Sequence, residues 1–197
     1  MSFKLGLTGS IGMGKTRTAQ IFVAQGCGYW DADASVHRAY DVNGAAVTPI
    51  SALFPEVVEA GAVSREAIKD LILKDSTALK KIEQIVHPLV ALDRERFAQY
   101  AEEDILIYDI PLLFETDGHR RVDAVACVHI ASIVQRRRVM GRGNMSSEQL
   151  EFILSKQMPI EEKLAMSDYC IETDTLPHAT QQVLAIIADI KERFLNA

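Results

Sequence analysis

The stretch Gly9-Ser10-Ile11-Gly12-Met13-Gly14-Lys15-Thr16, inside "GLTGSIGMGKTRT", constrains this chain more than any other segment. It fits G-x-x-x-x-G-K-[ST], a loop whose successive N–H groups point into one phosphate-accepting concavity. Its glycines let the backbone approach such a ligand without Cβ atoms in the way. Residues 3–8 (FKLGLT) are mostly apolar and read as a buried strand leading into the loop. Residues 15–25 read as a helix stopped by Gly26, so its positive N-terminal end faces the same phosphates. Lys15 reaches the β- and γ-phosphates, and the Thr16 hydroxyl is placed to hold Mg²⁺ beside them. Gly9, Gly12, Met13, Gly14, Lys15, Thr16 and Arg17 are therefore the candidate residues for a nucleoside triphosphate, with Thr16 the candidate metal ligand.

The rest of the chain supplies a scaffold of matching type. Residues 28–31 (GYWD) form a second short strand, and strand–helix–strand in about thirty residues favours a parallel sheet. Residues 34–100 read as helical throughout, broken at Asn43-Gly44, Pro49, Pro55 and Gly61, with Ser64 as an N-cap and an interruption at His87-Pro88. Residues 104–109 (DILIYD) and 122–130 (VDAVACVHI) are continuous apolar runs, the pattern of central parallel strands. Residues 132–142 give a basic helix, Ser146 or Ser147 caps another to about Met158, and residues 169–172 make a last strand. From His178 to Phe194, Val183, Ile186, Ile187, Ile190 and Phe194 recur at helical spacing as one core-facing stripe. The fold class is α/β: a P-loop NTPase-type parallel sheet flanked by helices, with a helical insertion and an arginine-rich lid. The whole chain, 1–197, is expected to be one domain.

Binding becomes chemistry through charged residues outside the loop. Asp31 and Asp33 follow the second strand, and ligands of α/β sheets sit at the carboxyl ends of strands. One of the pair is suited to orient an acceptor hydroxyl and take its proton; an acid there equally caps the helix starting near Ser35. Asp109, at the end of "ILIYD", is placed to hold the metal through water or a substrate group, or to cap a turn before Pro111. Arg136, Arg137, Arg138 and Arg142 crowd into seven residues of an otherwise acidic protein. As a surface they would be ordinary. As a mobile flap they would neutralise a transferring phosphoryl group and exclude water. His87 fits a helix end or a core position as well as a binding role, and Trp30 fits the core or a pocket wall.

Composition narrows the partners. A net charge of −6 argues against general nucleic-acid binding. No run of 18 apolar residues is present, so no membrane span is expected. Cys27, Cys127 and Cys170 show no C-x-x-C spacing and are expected as buried, reduced thiols of a cytoplasmic protein. A monomer is expected.

The segments "GLTGSIGMGKT", "DADASVHRAY", "IVHPLV", "YDIPLLFE", "QRRRVMGR" and "KQMPIEEKLAMSDYCI", in this order, resemble those of the dephospho-coenzyme A kinases over nearly the whole chain. The resemblance implies ATP-dependent phosphorylation of the ribose 3′-hydroxyl of dephospho-coenzyme A, the last step of coenzyme A synthesis. It implies Asp33 as general base, and Lys15, Arg138 and Arg142 as its catalytic companions. His87, Asp109 and Leu113 join Asp33 as substrate-binding residues. ATP and Mg²⁺ are the implied co-substrate and cofactor, and residues 1–33, 101–135 and 161–197 the implied nucleotide-binding core, 34–100 the helical substrate region and 136–160 the lid. The chain departs from the family pattern at Ser10, Met13 and Ile153, and at Thr173-Asp174-Thr175, which replaces an Asn-x-Gly turn. Rival readings are a nucleoside monophosphate or shikimate kinase, which lack the need for region 34–100 to take a pantetheine arm. A guanine-reading switch is the other rival, but N-K-x-D is absent.

Overall fold

A computed structural model describes residues 2–143 and 145–195. They form two compact units, one comprising the chain up to Trp30 and from Ala101 onward, the other Asp31–Tyr100.

The first unit is built on a five-stranded sheet. Its strands are β1 (Phe3–Thr8), β2 (Gly28–Asp31), β5 (Ile105–Asp109), β6 (Ala124–His129) and β7 (Tyr169–Glu172), in spatial order β2-β5-β1-β6-β7. The β1–β5, β1–β6 and β6–β7 pairs are parallel. Nearly every residue of β1, β5 and β6 is buried, because helices cover both faces of a parallel sheet. That is why these strands read as continuous apolar runs rather than as alternation. Helix α1 (Lys15–Ala24) follows β1 directly and ends before Gly26, whose φ is +82°. Later in the chain come α6 (Ser132–Met140), α7 (Ser147–Lys156), α8 (Ile160–Ala165) and α9 (Leu176–Ile190). Ser146 caps α7 in a reciprocal box with Gln149. Helix α9 buries Val183, Ile186, Ile187 and Ile190 as its spacing predicts. Phe194 departs from that stripe: it lies about half exposed, its ring 4.8 Å from Phe3, because a π turn at Lys191–Leu195 rotates it off the α-helical face.

The second unit packs α2 (Ala32–Tyr40), α3 (Val47–Leu53), α4 (Arg65–Lys74) and α5 (Ala78–Tyr100) around Ile50, Phe54, Val57, Val63, Ile68, Ile82 and Val86. Two features correct the all-helical expectation. Val58–Glu59 (β3) and Ala62–Val63 (β4) pair as a small antiparallel hairpin. Ala60 and Gly61, both at positive φ, make its turn, the conformation tight hairpins require. And α5 runs unbroken through Pro88. Proline costs the helix one hydrogen bond; here both Pro88 and Gln84, the residue whose carbonyl loses its donor, are exposed to water. The turns on either side are held by Ile82 and Val86 before it and Leu89 and Val90 after it, all packed on the unit's core.

Candidate active site

The loop between β1 and α1 makes its own scaffold. Gly9, Gly12 and Gly14 all have positive φ. Their lack of side chains serves protein neighbours as well as any ligand. A Cβ on Gly12 would fall 2.4 Å from Val139 of α6, and one on Gly14 would fall 3.0 Å from the Thr173 side chain. Gly14 is also the N-cap of α1, and it brings no side-chain acceptor. The first N–H groups of the helix are thus left for a ligand. Met13 is buried, its N–H donating to the Ser10 carbonyl at 3.2 Å, while Thr16 and Arg17 are exposed.

Lys15 is held at the mouth of this loop. Its ammonium is ion-paired with the Asp109 carboxylate at the end of β5. Tyr29 of β2 donates its hydroxyl to the other oxygen of Asp109 at 3.0 Å. The Asp109 side chain is only 3% exposed and that of Lys15 18%, so the pair is largely sheltered from water. The sequence offers Asp109 as a metal, substrate or turn-capping acid, and its partners here are Lys15 and Tyr29. Tyr29 was missed, and as an aromatic in a short strand it carried no signal of its role.

Beside the loop lies a cavity of about 400 Å³ whose lining includes Gly12, Gly14, Arg17, Arg138, Arg142 and Thr173. Arg138 is fixed: its guanidinium donates to the Thr173 hydroxyl at 3.0 Å and to the Thr173 carbonyl at 2.6 Å. The Thr173 hydroxyl in turn donates to the Met13 carbonyl at 2.8 Å. The residue that departs from the family turn thus links Arg138 to the phosphate loop. Arg136 points elsewhere, pairing with Glu151 of α7; Asn144 lies outside the described residues. On the same rim the Asp174 carboxylate accepts from the Thr175 N–H and pairs with the His178 ring at 2.8 Å. Those bonds hold its pKa below the usual carboxylate range, the Thr175 N–H first and His178 next.

The turn after β5 is anchored from below. Lys163 of α8, fully buried, donates to the Pro111 carbonyl at 3.1 Å and pairs with Glu115 at 2.9 Å. The Thr8 hydroxyl donates to the same carbonyl at 3.1 Å, and Glu115 accepts the Met158 N–H at 2.8 Å. Burial alone would raise the pKa of Glu115, but Lys163 and the N–H donors more than offset it and hold it below the usual carboxylate range.

In the second unit, the acid pair divides its roles. Asp31 caps α2, accepting the Ala34 N–H at 3.0 Å, which leaves Asp33 exposed in the first turn. His87 is exposed on α5, which sets aside its reading as a core residue. Leu113 is fully buried with Phe114 and Val125, packed under Gly6, so its side chain belongs to the core rather than to an open substrate surface. Trp30 is a core residue, edge-on to Tyr108 at 5.7 Å. Among the cysteines, burial pushes Cys27 up to about 11 and Cys127 up to about 12, which keeps both as thiols. Cys170 corrects the expectation of three buried thiols: it is exposed, on the terminal strand of the sheet.

Residues 3–178 match the family model described as Dephospho-CoA kinase. A protein named dephospho-CoA kinase from Ruegeria pomeroyi is 57% identical over the full length of both chains. One of the same name from Cereibacter sphaeroides is 49% identical over 96% of each. A crystal structure from Thermus thermophilus superposes with a TM-score of 0.87 at 30% identity, covering 96% of this chain and 98% of its own.

Proposed function

This chain belongs to the dephospho-coenzyme A kinase family, and from that membership we infer that it phosphorylates the ribose 3′-hydroxyl of dephospho-coenzyme A with ATP. The products are coenzyme A and ADP, and the reaction is the last step of coenzyme A synthesis. A nucleoside monophosphate or shikimate acceptor is not favoured. The observation that carries the reading is the uncapped start of α1 with Lys15 poised beside it, in a chain related over its full length to proteins of that name.

The loop amides and the α1 N-terminus bind the triphosphate. Lys15 takes the β- and γ-phosphates, and Asp109 with Tyr29 sets where its ammonium sits before the nucleotide arrives. Arg138 and Arg142, on the cavity wall, complement the charge of the phosphates. Gly9, Met13 and Arg17 complete the nucleotide set. Asp33 accepts the proton of the 3′-hydroxyl as its oxygen forms the new bond to the γ-phosphorus and the bridging oxygen leaves with ADP. His87 and the backbone around Leu113 contact the acceptor, and residues 34–100 receive its arm.

The site suits Mg²⁺. An exposed Thr16 hydroxyl in the first turn of α1 is a hard oxygen donor, and this ion keeps several waters and needs few protein ligands. Bound there, it would offset charge on the β- and γ-phosphates. No helix among the described residues is long and apolar enough to cross a membrane; a cytoplasmic monomer completes the proposal. The test is ADP release with ATP-Mg²⁺ and a panel of acceptors. Turnover with dephospho-coenzyme A well above that with AMP or shikimate supports the reading, and the reverse order overturns it.

A further inference from the structure

Ile11 stands in the middle of the phosphate loop, and both its backbone polar groups are taken by side chains. Its N–H donates to Gln157 Oε1 at 3.3 Å, and its carbonyl accepts from Gln135 Nε2 at 2.7 Å. Gln135 lies near the start of α6 and is 4% exposed; Gln157 caps the end of α7. A buried amide must be paired, and this one is paired to the loop. One turn further along α6, Val139 occupies the space a Gly12 side chain would need.

Peptide planarity gives these bonds their consequence. A carbonyl and the next residue's N–H share one plane and point in opposite directions. By drawing the Ile11 carbonyl toward α6, Gln135 fixes the opposed direction of the Gly12 N–H, and Gly12 lines the cavity. By holding the Ile11 N–H, Gln157 fixes the Ser10 carbonyl, which closes the turn with the Met13 N–H. Gly12, at φ +77° and without a Cβ, has the freedom to let the peptide before it flip. Something outside the loop must prevent that, and no apolar contact can select one peptide orientation.

We propose that Gln135 and Gln157 are positioning residues that grip Ile11 through the peptides on its two sides, hold the loop's amides in their ATP-binding orientation, and tie the arginine-bearing α6, together with α7, to that loop. The proposal rests on the reading of the loop as the ATP site.

The experiment compares wild type with Gln135→Leu, Gln157→Leu and the double variant, with Lys15→Ala as the reference for a damaged ATP site. ATP affinity is measured by calorimetry, and KM for each substrate by ADP release. The expected result is a rise in ATP Kd and KM of about fivefold for each single variant, the weight of one lost hydrogen bond. KM for dephospho-coenzyme A and the melting temperature should hold. Because both residues grip adjoining peptides of the same residue, Ile11, the double variant should fall short of the product of the singles. Should Gln135→Leu fail to fold, Gln135→Met fills the same space and takes its place. Unchanged ATP Kd and KM, with or without a lower melting temperature, would overturn the proposal while leaving the ATP reading intact. Wild type that fails to bind ATP, or Lys15→Ala that binds it equally well, would sink the ATP reading and the proposal with it.

Discussion

Replacing Lys163 by Ala tests how the turn after β5 is held. The ammonium is fully buried and gives up two partners, the Pro111 carbonyl and the Glu115 carboxylate. The Pro111 carbonyl keeps the Thr8 hydroxyl, and Glu115 keeps the Met158 N–H. Glu115 is 18% exposed, so water can reach part of the stranded charge. Removing one partner of a buried pair costs about 3–5 kcal/mol, and that partial exposure puts this case near about 3 kcal/mol. With a urea m-value of roughly 2 kcal/mol/M for a chain of this size, the midpoint should fall by about 1.5 M. Equilibrium urea unfolding followed by circular dichroism reads this directly. The double variant Lys163→Met/Glu115→Gln removes both charges at once and should lose less than the sum of the singles. A midpoint shift below about 0.5 M for Lys163→Ala, at constant m-value, would refute the claim that this pair anchors the turn. The same contact gives a pH dependence. Glu115 titrates lower in the folded protein than in the unfolded chain. Its contribution is therefore complete above the ordinary carboxyl range, near about 4.3, and is lost as pH falls through the lower folded value. Acid titration of stability should be shallower in Glu115→Gln than in wild type.

Further expectations concern the chemistry. Asp33→Asn should keep its fold, since the side chain is exposed, and bind ATP, but lose about 10²- to 10⁴-fold in kcat; near-normal turnover would remove Asp33 from the mechanism. Lys15→Ala should lower activity and also stability, because it leaves Asp109 buried beside Tyr29 without its ammonium. Adding Asp109→Asn should restore midpoint but not turnover, as unfolding and ADP-release measurements together would show. Arg138→Lys should weaken ATP binding almost as much as Arg138→Ala, since a single ammonium cannot span both the hydroxyl and the carbonyl of Thr173 in the planar way a guanidinium does. Equal ATP affinity in Arg138→Lys and wild type, measured by calorimetry, would contradict that.

Much of the site was legible because its chemistry is local. The phosphate loop occupies eight consecutive residues, the strand before it shows as an apolar run, and the helix after it is marked by its stop at Gly26. The buried acid at the end of β5 was legible for the same reason, as an abrupt change at the end of an apolar run. What escaped depends on pairing over long sequence distances. Lys163 sits in "IEEKLA", which reads as an exposed helix until Glu115, nearly fifty residues earlier, is folded beside it. Gln135 and Gln157 look like ordinary helix polar residues, and their partner is a backbone group no sequence displays. The hairpin at Val58–Val63 is too short for alternation to register. Pro88 misled because its helix is held by the flanking apolar residues, which local propensity does not count. Leu113 shows the complementary limit: a family motif marks the segment, while packing decides that this side chain faces the core.

The most direct test follows the phosphoryl group itself. Purified protein is incubated with γ-³²P-labelled ATP, Mg²⁺ and dephospho-coenzyme A, and the label is located by chromatography and by digestion with a 3′-nucleotidase. One labelled phosphate per ADP on the ribose 3′-oxygen, with Lys15→Ala and Asp33→Asn both near background, is the predicted outcome. Label released as inorganic phosphate, carried to another acceptor in preference, or transferred undiminished by Asp33→Asn would contradict it.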